Sequence, residues 1–371
     1  MRIRTFSPVI VVTLIAAIVP CADAQDGSVQ GSAEAVREAA SSAQEQVLAS
    51  AEGGLLAYEG FDYEAGELTD KGSEDDAGWG GAWKVWRSDG ISAAIVDEGL
   101  SFGTLETAGR SLRLQTNIER GFDRYNRASR ALAPKDEVTG TVWHSHLIHA
   151  QPMKRTLADG APTAEAIEAL DERWEARVDV DSDGNTERTG LPDVMGFAAK
   201  ADAKTPLGRL AVAGKSATST GVPIQVDTTY LVLGKVEGLG GTETVEITSV
   251  DPESGESVQV QGYRYKATMW VLSEDNFEAL VKGDWDESVL EDEHVQHATL
   301  TVESAEKATF SSDDFVQIHT RDWYTTGFAP VYDEIRYGRT LKSVTPAPEP
   351  EPEEDDEQDE QGDAEEAGED D

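Results

Sequence analysis

Three groups of residues have the types and the spacing to do chemistry. The first is D-V-D-S-D-G-N-T-E, Asp179 to Glu187. Asp179, Asp181, Asp183, Asn185 and Glu187 put an oxygen-bearing side chain at every second position, and Gly184 allows a tight turn. Oxygen ligands at that density suit a calcium ion. The stretch resembles the first half of an EF-hand loop. The twelfth position, where a bidentate Glu belongs, is Gly190. Asp-Gly is also a strong hairpin signal, so a plain turn is the alternative. The second group is Trp79, Trp83 and Trp86, around G-W-G-G-A-W at Gly78 to Trp83. Glycines let the backbone pass close under large rings. The rings are either a stacking platform for sugar or a corner of the core, where large aromatics usually sit. The third is H-S-H-L-I-H. On a strand His144 and His146 share one face and His149 takes the other. Two imidazoles could hold zinc with a third ligand from elsewhere; partly exposed strand histidines are the alternative.

The elements that must position these residues read as strands. V-Y-D-E-I-R-Y-G near the end alternates Val331, Ile335 and Tyr337 with Tyr332, Glu334 and Arg336. Period two marks a strand with one face in a core and one in solvent. Asp333 falls on the apolar phase, and a buried carboxylate needs partners, so it reads as a structural anchor. Leu55–Tyr63 opens the domain as a strand. Short apolar runs follow at Ile91–Val96, Leu100–Gly103, Ser111–Leu114, Ala128–Ala133 and Val138–Ile148, punctuated by Gly, Asp and Pro as in sandwiches. Ile167, Leu170 and Trp174 predict a helix over Pro162–Ala176. Strands resume at Val194–Ala199, Leu207–Val212, Thr229–Val236 and Tyr263–Leu272. Val245–Val250 and Ser257–Val260 form a hairpin around D-P-E-S-G. Ser273 caps a short helix over Asp275–Lys282 that buries Phe277, Leu280 and Val281. Val295–Val302 and Phe315–Thr320 precede the closing strand.

Charge bounds the partners. The 371 residues carry a net charge of −41. Residues 347–371 contribute −15 and residues 1–53 contribute −3, which leaves −23 on the remainder. Such a surface repels nucleic acid and anionic membrane. Arg2 and Arg4, an apolar run from Val9 to Val19 and Ala22-Asp23-Ala24 have the form of a secretory signal over residues 1–24. The run is too short to span a bilayer. An extracellular or periplasmic protein is expected. Its one cysteine, Cys21, lies inside that signal, so the core must be large enough to stand without disulfides. Residues 25–54 read as an Ala/Ser/Glu-rich linker or helical stalk, and residues 347–371 as a disordered acidic tail.

L-L-A-Y-E-G-F-D-Y, G-W-G-G-A-W, T-V-W-H-S-H-L and V-Y-D-E-I-R-Y-G-R-T…V-T-P together resemble the concanavalin A-like, LamG-like jelly-roll domains of secreted bacterial surface proteins. The resemblance spans residues 55–346. It implies an all-β, two-sheet antiparallel jelly-roll sandwich with short helical insertions, whose first and last strands lie side by side. It also implies a glycan or surface polymer as partner, with calcium as a candidate cofactor. A non-catalytic binding or adhesion module is the first expectation. A polysaccharide hydrolase and a structural surface protein with a cation-collecting tail are the alternatives. The E-x-D-x-E pattern that jelly-roll glycosidases often carry is not present, and Asp333 and Glu334 are expected to face opposite ways.

Overall fold

The computed structural model describes residues 54–86, 93–114, 124–152, 174–181, 195–202, 205–212, 216–223, 227–250, 254–305, 307–322 and 328–348. Residues 1–53 and 349–371, where the signal, the linker and most of the acidic tail are expected, lie outside these residues.

The strands fall into two antiparallel sheets. The first holds β1 (Leu55–Glu59), β2 (Gly66–Glu67), β4 (Ala93–Val96), β5 (Ser111–Leu114), β7 (Gly140–Pro152), β12 (Thr229–Leu239), β13 (Thr244–Val250), β14 (Ser257–Leu272), β15 (His297–Ser304) and β17 (Phe328–Gly338). Its order is β13-β14-β12-β7-β17-β5-β4-β2, with β1 also on β17 and β15 also on β14. The second holds β3 (Lys84–Val85), β6 (Arg124–Ala131), β8 (Trp174–Asp181), β9 (Met195–Asp202), β10 (Thr205–Val212), β11 (Ser216–Pro223) and β16 (Phe315–Asp322), in the order β11-β10-β9-β8-β16-β6-β3. The chain is thus an all-β sandwich, as the resemblance implied. β1 pairs with β17, Tyr58 opposite Arg336 and Glu59 opposite Ile335, so the first and last strands are neighbours.

Side chains alternate across a strand, so each sheet has two faces to cover. The inner faces meet in one core. Val142, Ile148, Val232, Val236, Met269, Tyr332 and Ile335 come from the first sheet, and Ala128, Val178, Val180, Val316 and Ile318 from the second. The outer face of the first sheet is apolar as well. Trp143, Leu147, Leu231, Leu233, Trp270 and Leu272 form a second cluster with α1 (Glu274–Lys282), a 3-10 helix (Glu287–Glu291) and α2 (Leu341–Val344). Strands β7 and β12, and β14 from Ala267 to Leu272, are therefore buried on both faces; L-V-L in β12 and M-W-V-L in β14 read as continuous apolar runs, whereas β7 buries His144, Ser145 and His146. Ser273 caps α1 as expected, accepting from the Asn276 N–H at 3.2 Å, and Phe277, Leu280 and Val281 face the sheet.

Three expectations change, and one strand is present that was not expected. Of the helix expected over Pro162–Ala176, residues 162–173 lie outside the described residues, and Trp174, Glu175 and Ala176 lie in β8, with β16 on one side and β9 on the other. The stretch from Leu100 to Gly103 is a loop whose Leu100 N–H is held by Asp333. Ser216–Pro223 is a strand despite its Ser and Thr, because β10 beside it fixes the register. Tyr332, Glu334 and Arg336 are buried, not solvent-facing. Strand β17 has neighbours on both edges, and the loop 97–108 lies over its outer face. A bulge interrupts the β17–β7 register between Asp333 and Arg336, with Glu334 at φ 54°. The extra residue resets the phase.

Candidate functional site

The bulge in β17 turns two neighbouring carboxyls toward one loop. Asp333 accepts from the Leu100 N–H at 2.7 Å and the Glu334 N–H at 2.9 Å. Glu334 accepts from the Ala108 N–H at 2.6 Å and the Tyr58 hydroxyl at 3.1 Å, and pairs with Arg336. Arg336 also donates to the Glu106 carbonyl at 2.6 Å. Asp333 and Glu334 thus do not face opposite ways; both accept from the loop 97–108. Burial first, and the Glu334 charge second, hold the Asp333 carboxyl well above the usual carboxylate range. A second cluster ties β1 to β6. Arg130 pairs with Glu59 and Asp76, and donates to the Tyr63 hydroxyl at 2.9 Å, the Ser73 carbonyl at 3.0 Å and the Gly81 carbonyl at 2.7 Å. All five guanidinium N–H groups are used, as a buried arginine requires. A cleft of about 280 Å³ opens beside Glu59, Asp62 and Tyr63. With their oxygens spent on backbone N–H groups and arginines, these carboxylates act as anchors.

Trp79 and Trp83 belong to the same anchor. They are 1% and 0% exposed, so neither ring offers a face to a sugar, and the core-corner alternative holds. Trp79 Nε1 donates to the Tyr58 carbonyl at 2.6 Å and Trp83 Nε1 to Glu59 at 2.7 Å. Gly78 explains the motif. Its φ is +79°, and a Cβ there would lie 1.9 Å from the Leu56 carbonyl oxygen. His144 and His146 share a face as expected, but it is the inner one. Their rings approach at 2.8 Å, Nε2 to Nδ1, and His144 packs 4.6 Å from Tyr337. Burial pushes His146 down to about 3 and His144 well below its usual value, so both are neutral in the core. They form a core hydrogen bond, not an exposed zinc or ligand site.

Asp179 sits within β8 opposite Gln317, buried and paired with Arg177. It is a strand residue with a cationic partner rather than the first ligand of a loop. Asp181 is the last residue of β8. Asp183, Asn185 and Glu187 lie outside the described residues.

Trp86 differs from the other two tryptophans. It is 52% exposed, the one large hydrophobic so exposed among the described residues. Its backbone N–H donates to the Arg127 carbonyl at 2.9 Å, and the Arg127 guanidinium lies 4.7 Å from its ring centroid. It thereby heads a row on the outer face of the second sheet. Because Ala128, Ala176, Val178, Val316 and Ile318 face the core, their alternates face outward. The register sets them side by side: Arg127 opposite His319 and His319 opposite Arg177; Lys84 opposite Ser129, Ser129 opposite Gln317 and Gln317 opposite Asp179. Two cross-strand rows result, Trp86–Arg127–His319–Arg177 and Lys84–Ser129–Gln317–Asp179. The β3 end is open, with Lys84 and Trp86 exposed, whereas Arg127, Gln317, His319 and Asp179 are buried. From the first sheet the Tyr332 hydroxyl reaches across and donates to the His319 carbonyl at 3.1 Å.

Of the two rows, the Trp86 ring and the Lys84 ammonium are exposed; behind them lie two guanidiniums, an imidazole, an amide, a hydroxyl and the Asp179 carboxylate. An indole face beside an ammonium has the chemistry to take a polar ligand by stacking and hydrogen bonding. Apart from Trp86 and Asp179, the sequence reading did not single these residues out. The available signal was alternation: F-V-Q-I-H and A-R-V-D-V carry polar residues at every second position of stretches whose other residues are apolar.

No family model and no curated protein matches the chain by sequence. Solved structures do. An alginate lyase mutant in complex with alginate trisaccharide has a TM-score of 0.37 and 10% identity, over 76% of this chain and 97% of its own. LamAcat from Zobellia galactanivorans has a TM-score of 0.32 and 9% identity, over 78% and 99%. Lectin II from Ulex europaeus has a TM-score of 0.29 and 6% identity, over 77% and 100%.

Proposed function

We propose that the protein is a secreted, non-catalytic glycan-binding module whose ligand meets the second sheet at its open β3 end and stacks on Trp86. One observation carries the reading: an exposed indole heads a cross-strand row of polar side chains, on a sheet whose other face is core. An isolated exposed tryptophan would need no explanation; this one stands beside the exposed Lys84 and is backed by the Arg127 guanidinium 4.7 Å from its ring centroid. The non-catalytic part draws on the anchors. Glu59, Asp333 and Glu334 are engaged by backbone N–H groups, tyrosines, an indole or arginines, an arrangement that holds strands together.

Calcium enters as a second element of the proposal. Its candidate ligands are Asp181, Asp183, Asn185 and Glu187. Calorimetric titration of wild type and Asp181→Ala with calcium tests it; identical heats would remove the ion from the account.

The main test is binding to a panel of soluble polysaccharides, followed by affinity electrophoresis or calorimetry. The wild type should bind without releasing sugar. Trp86→Ala should weaken binding by about tenfold, equivalent to ~1.4 kcal/mol, with an unchanged melting temperature. Equal affinity in the variant would place the ligand elsewhere.

A further inference from the structure

Strands β3 and β11 form the two edges of the second sheet, and a cleft of about 460 Å³ opens beside the β11 edge. It lies between Val222 of β11, the start of β12, the end of β14 and the start of α1. We infer that it is a second ligand site, independent of the Trp86 face, and that it takes a small uncharged ring with one hydrogen-bonding group on its edge, of which a phenol is the simplest case. Strand β14 ends here, with Leu272 opposite Leu231 of β12. Val271 belongs to the core between the sheets, and Phe102 and Leu272 belong to the cluster under the helices. The cleft therefore opens where the two clusters meet, and its floor is apolar. Tyr230, partly buried, adds a second aromatic side chain to the lining. A cleft of this size, lined mainly by apolar and aromatic side chains with a few polar groups, has the make-up of a small-molecule site.

The polar groups of the lining set the ligand class. Two are spent within the protein. The Ser273 hydroxyl accepts from the Asn276 backbone N–H at 3.2 Å and donates to Asn276 Oδ1 at 2.7 Å. Thr229 Oγ1 lies 3.1 Å from His149 Nδ1. The side-chain N–H groups of Asn276 and the side-chain amide of Gln296 have no partner among the described residues. Amides of this kind can serve one hydroxyl, which both donates and accepts. A sugar ring, with hydroxyls around its whole rim, would leave most of them unpaired against apolar walls. Charge is disfavoured as well. The start of a helix favours an anion, but Glu274 and Asp275 fill the first turn of α1 and Glu274 itself lines the cleft. Glu274 is exposed, so water screens it and it offers a cation little. What remains is an apolar ring that packs on Phe102 and Tyr230 and carries one hydroxyl to the amides.

The test is saturation-transfer NMR and calorimetry on the full chain with phenol, cyclohexanol, benzoate, benzylammonium and a methyl glucoside. Wild type is compared with Gln296→Trp, Asn276→Leu and Trp86→Ala. Phenol or cyclohexanol should bind in the millimolar range, as befits so few atoms, and the pair separates an aromatic from an aliphatic ring. The two charged rings and the glucoside should bind about fivefold more weakly, or less tightly still. Gln296→Trp, at an exposed rim position, puts an indole into the cleft and should weaken binding about tenfold with an unchanged melting curve. Asn276→Leu removes the amide and should weaken it about threefold to tenfold. Trp86→Ala should leave it unchanged. No binding of either uncharged ring at about 20 mM, equal affinity for a charged ring or the glucoside, or affinity indifferent to both cleft variants would overturn the inference. So would binding lost in Trp86→Ala and kept in Gln296→Trp. Polysaccharide binding at Trp86 is read with different ligands, so the two readings fail separately.

Discussion

The outer faces of the two sheets are built from the same strand geometry and put to opposite uses. On the first sheet Trp143, Leu147, Leu233, Trp270 and Leu272 project outward, and two helices and a 3-10 turn close over them. On the second sheet the equivalent positions of β6, β16 and β8 hold Arg127, Gln317, His319, Arg177 and Asp179. The first face stabilises by removing apolar area from water, at roughly 25 cal/mol per Å². The second removes little apolar area and places charges and amides where burial disfavours them. A sheet that gives up stability on one face has a use for that face. This contrast is the physical basis for placing the ligand site on the second sheet.

The largest effect that would sharpen the contrast lies in the lidded face. Trp143→Ala should cost about 3–5 kcal/mol, read from denaturant unfolding, because its ring stacks on Trp270 at 5.9 Å between centroids. A loss below 1 kcal/mol would mean the helices do not rely on that face. Next comes the anchor that joins β1 to β6. Arg130→Met strands Glu59 in the core and should destabilise by about 3 kcal/mol; unfolding curves matching wild type would show the cluster to be dispensable.

A pH effect follows in size. Burial lifts Asp314 to about 6 and raises Asp333 well above its ordinary value. A carboxyl with a raised folded pKa binds its proton more tightly when folded. The stability it contributes is therefore present at low pH and lost as pH rises from about 4 through the folded value. Melting temperature should fall between pH 4 and about 6–7, and Asp314→Asn should flatten part of that slope. A melting temperature that rises over the same interval would contradict the assignment. Smaller still is the bond linking the sheets behind the polar face. Tyr332→Phe should cost about 1 kcal/mol and loosen glycan binding through His319; unchanged affinity would limit Tyr332 to packing. Smallest is Trp86→Ala, which should shift stability by less than ~0.5 kcal/mol, whatever it does to binding.

Much of the scaffold was legible because a strand writes its two faces into alternate residues. The sandwich, the pairing of β1 with β17, the β13–β14 hairpin and the Ser273 cap follow from period two, turn residues and a capping serine. The bulge at Glu334 was not legible. Its left-handed φ comes from tertiary anchoring by Tyr58 and Ala108, residues more than two hundred positions away. Nor was the division of the tryptophans. Trp79, Trp83 and Trp86 share one short segment, and only the pairing of β3 with β6 determines which of them is left at the surface. His144 and His146 were placed on one face correctly, but period two does not say whether that face looks inward. The polar rows were visible one strand at a time, in F-V-Q-I-H and in A-R-V-D-V; their adjacency is a fact of register between strands over 130 residues apart.

The central claim is that ligand meets the second sheet's outer face and leaves the first sheet's untouched. Amide hydrogen exchange with and without a bound polysaccharide tests it directly. New protection should fall on Lys84–Trp86 and on Arg127–Ser129 paired with it, with no change at Trp143–Leu147 or Trp270–Leu272. Protection confined to those last segments, or to the cleft around Glu59–Tyr63, would contradict it.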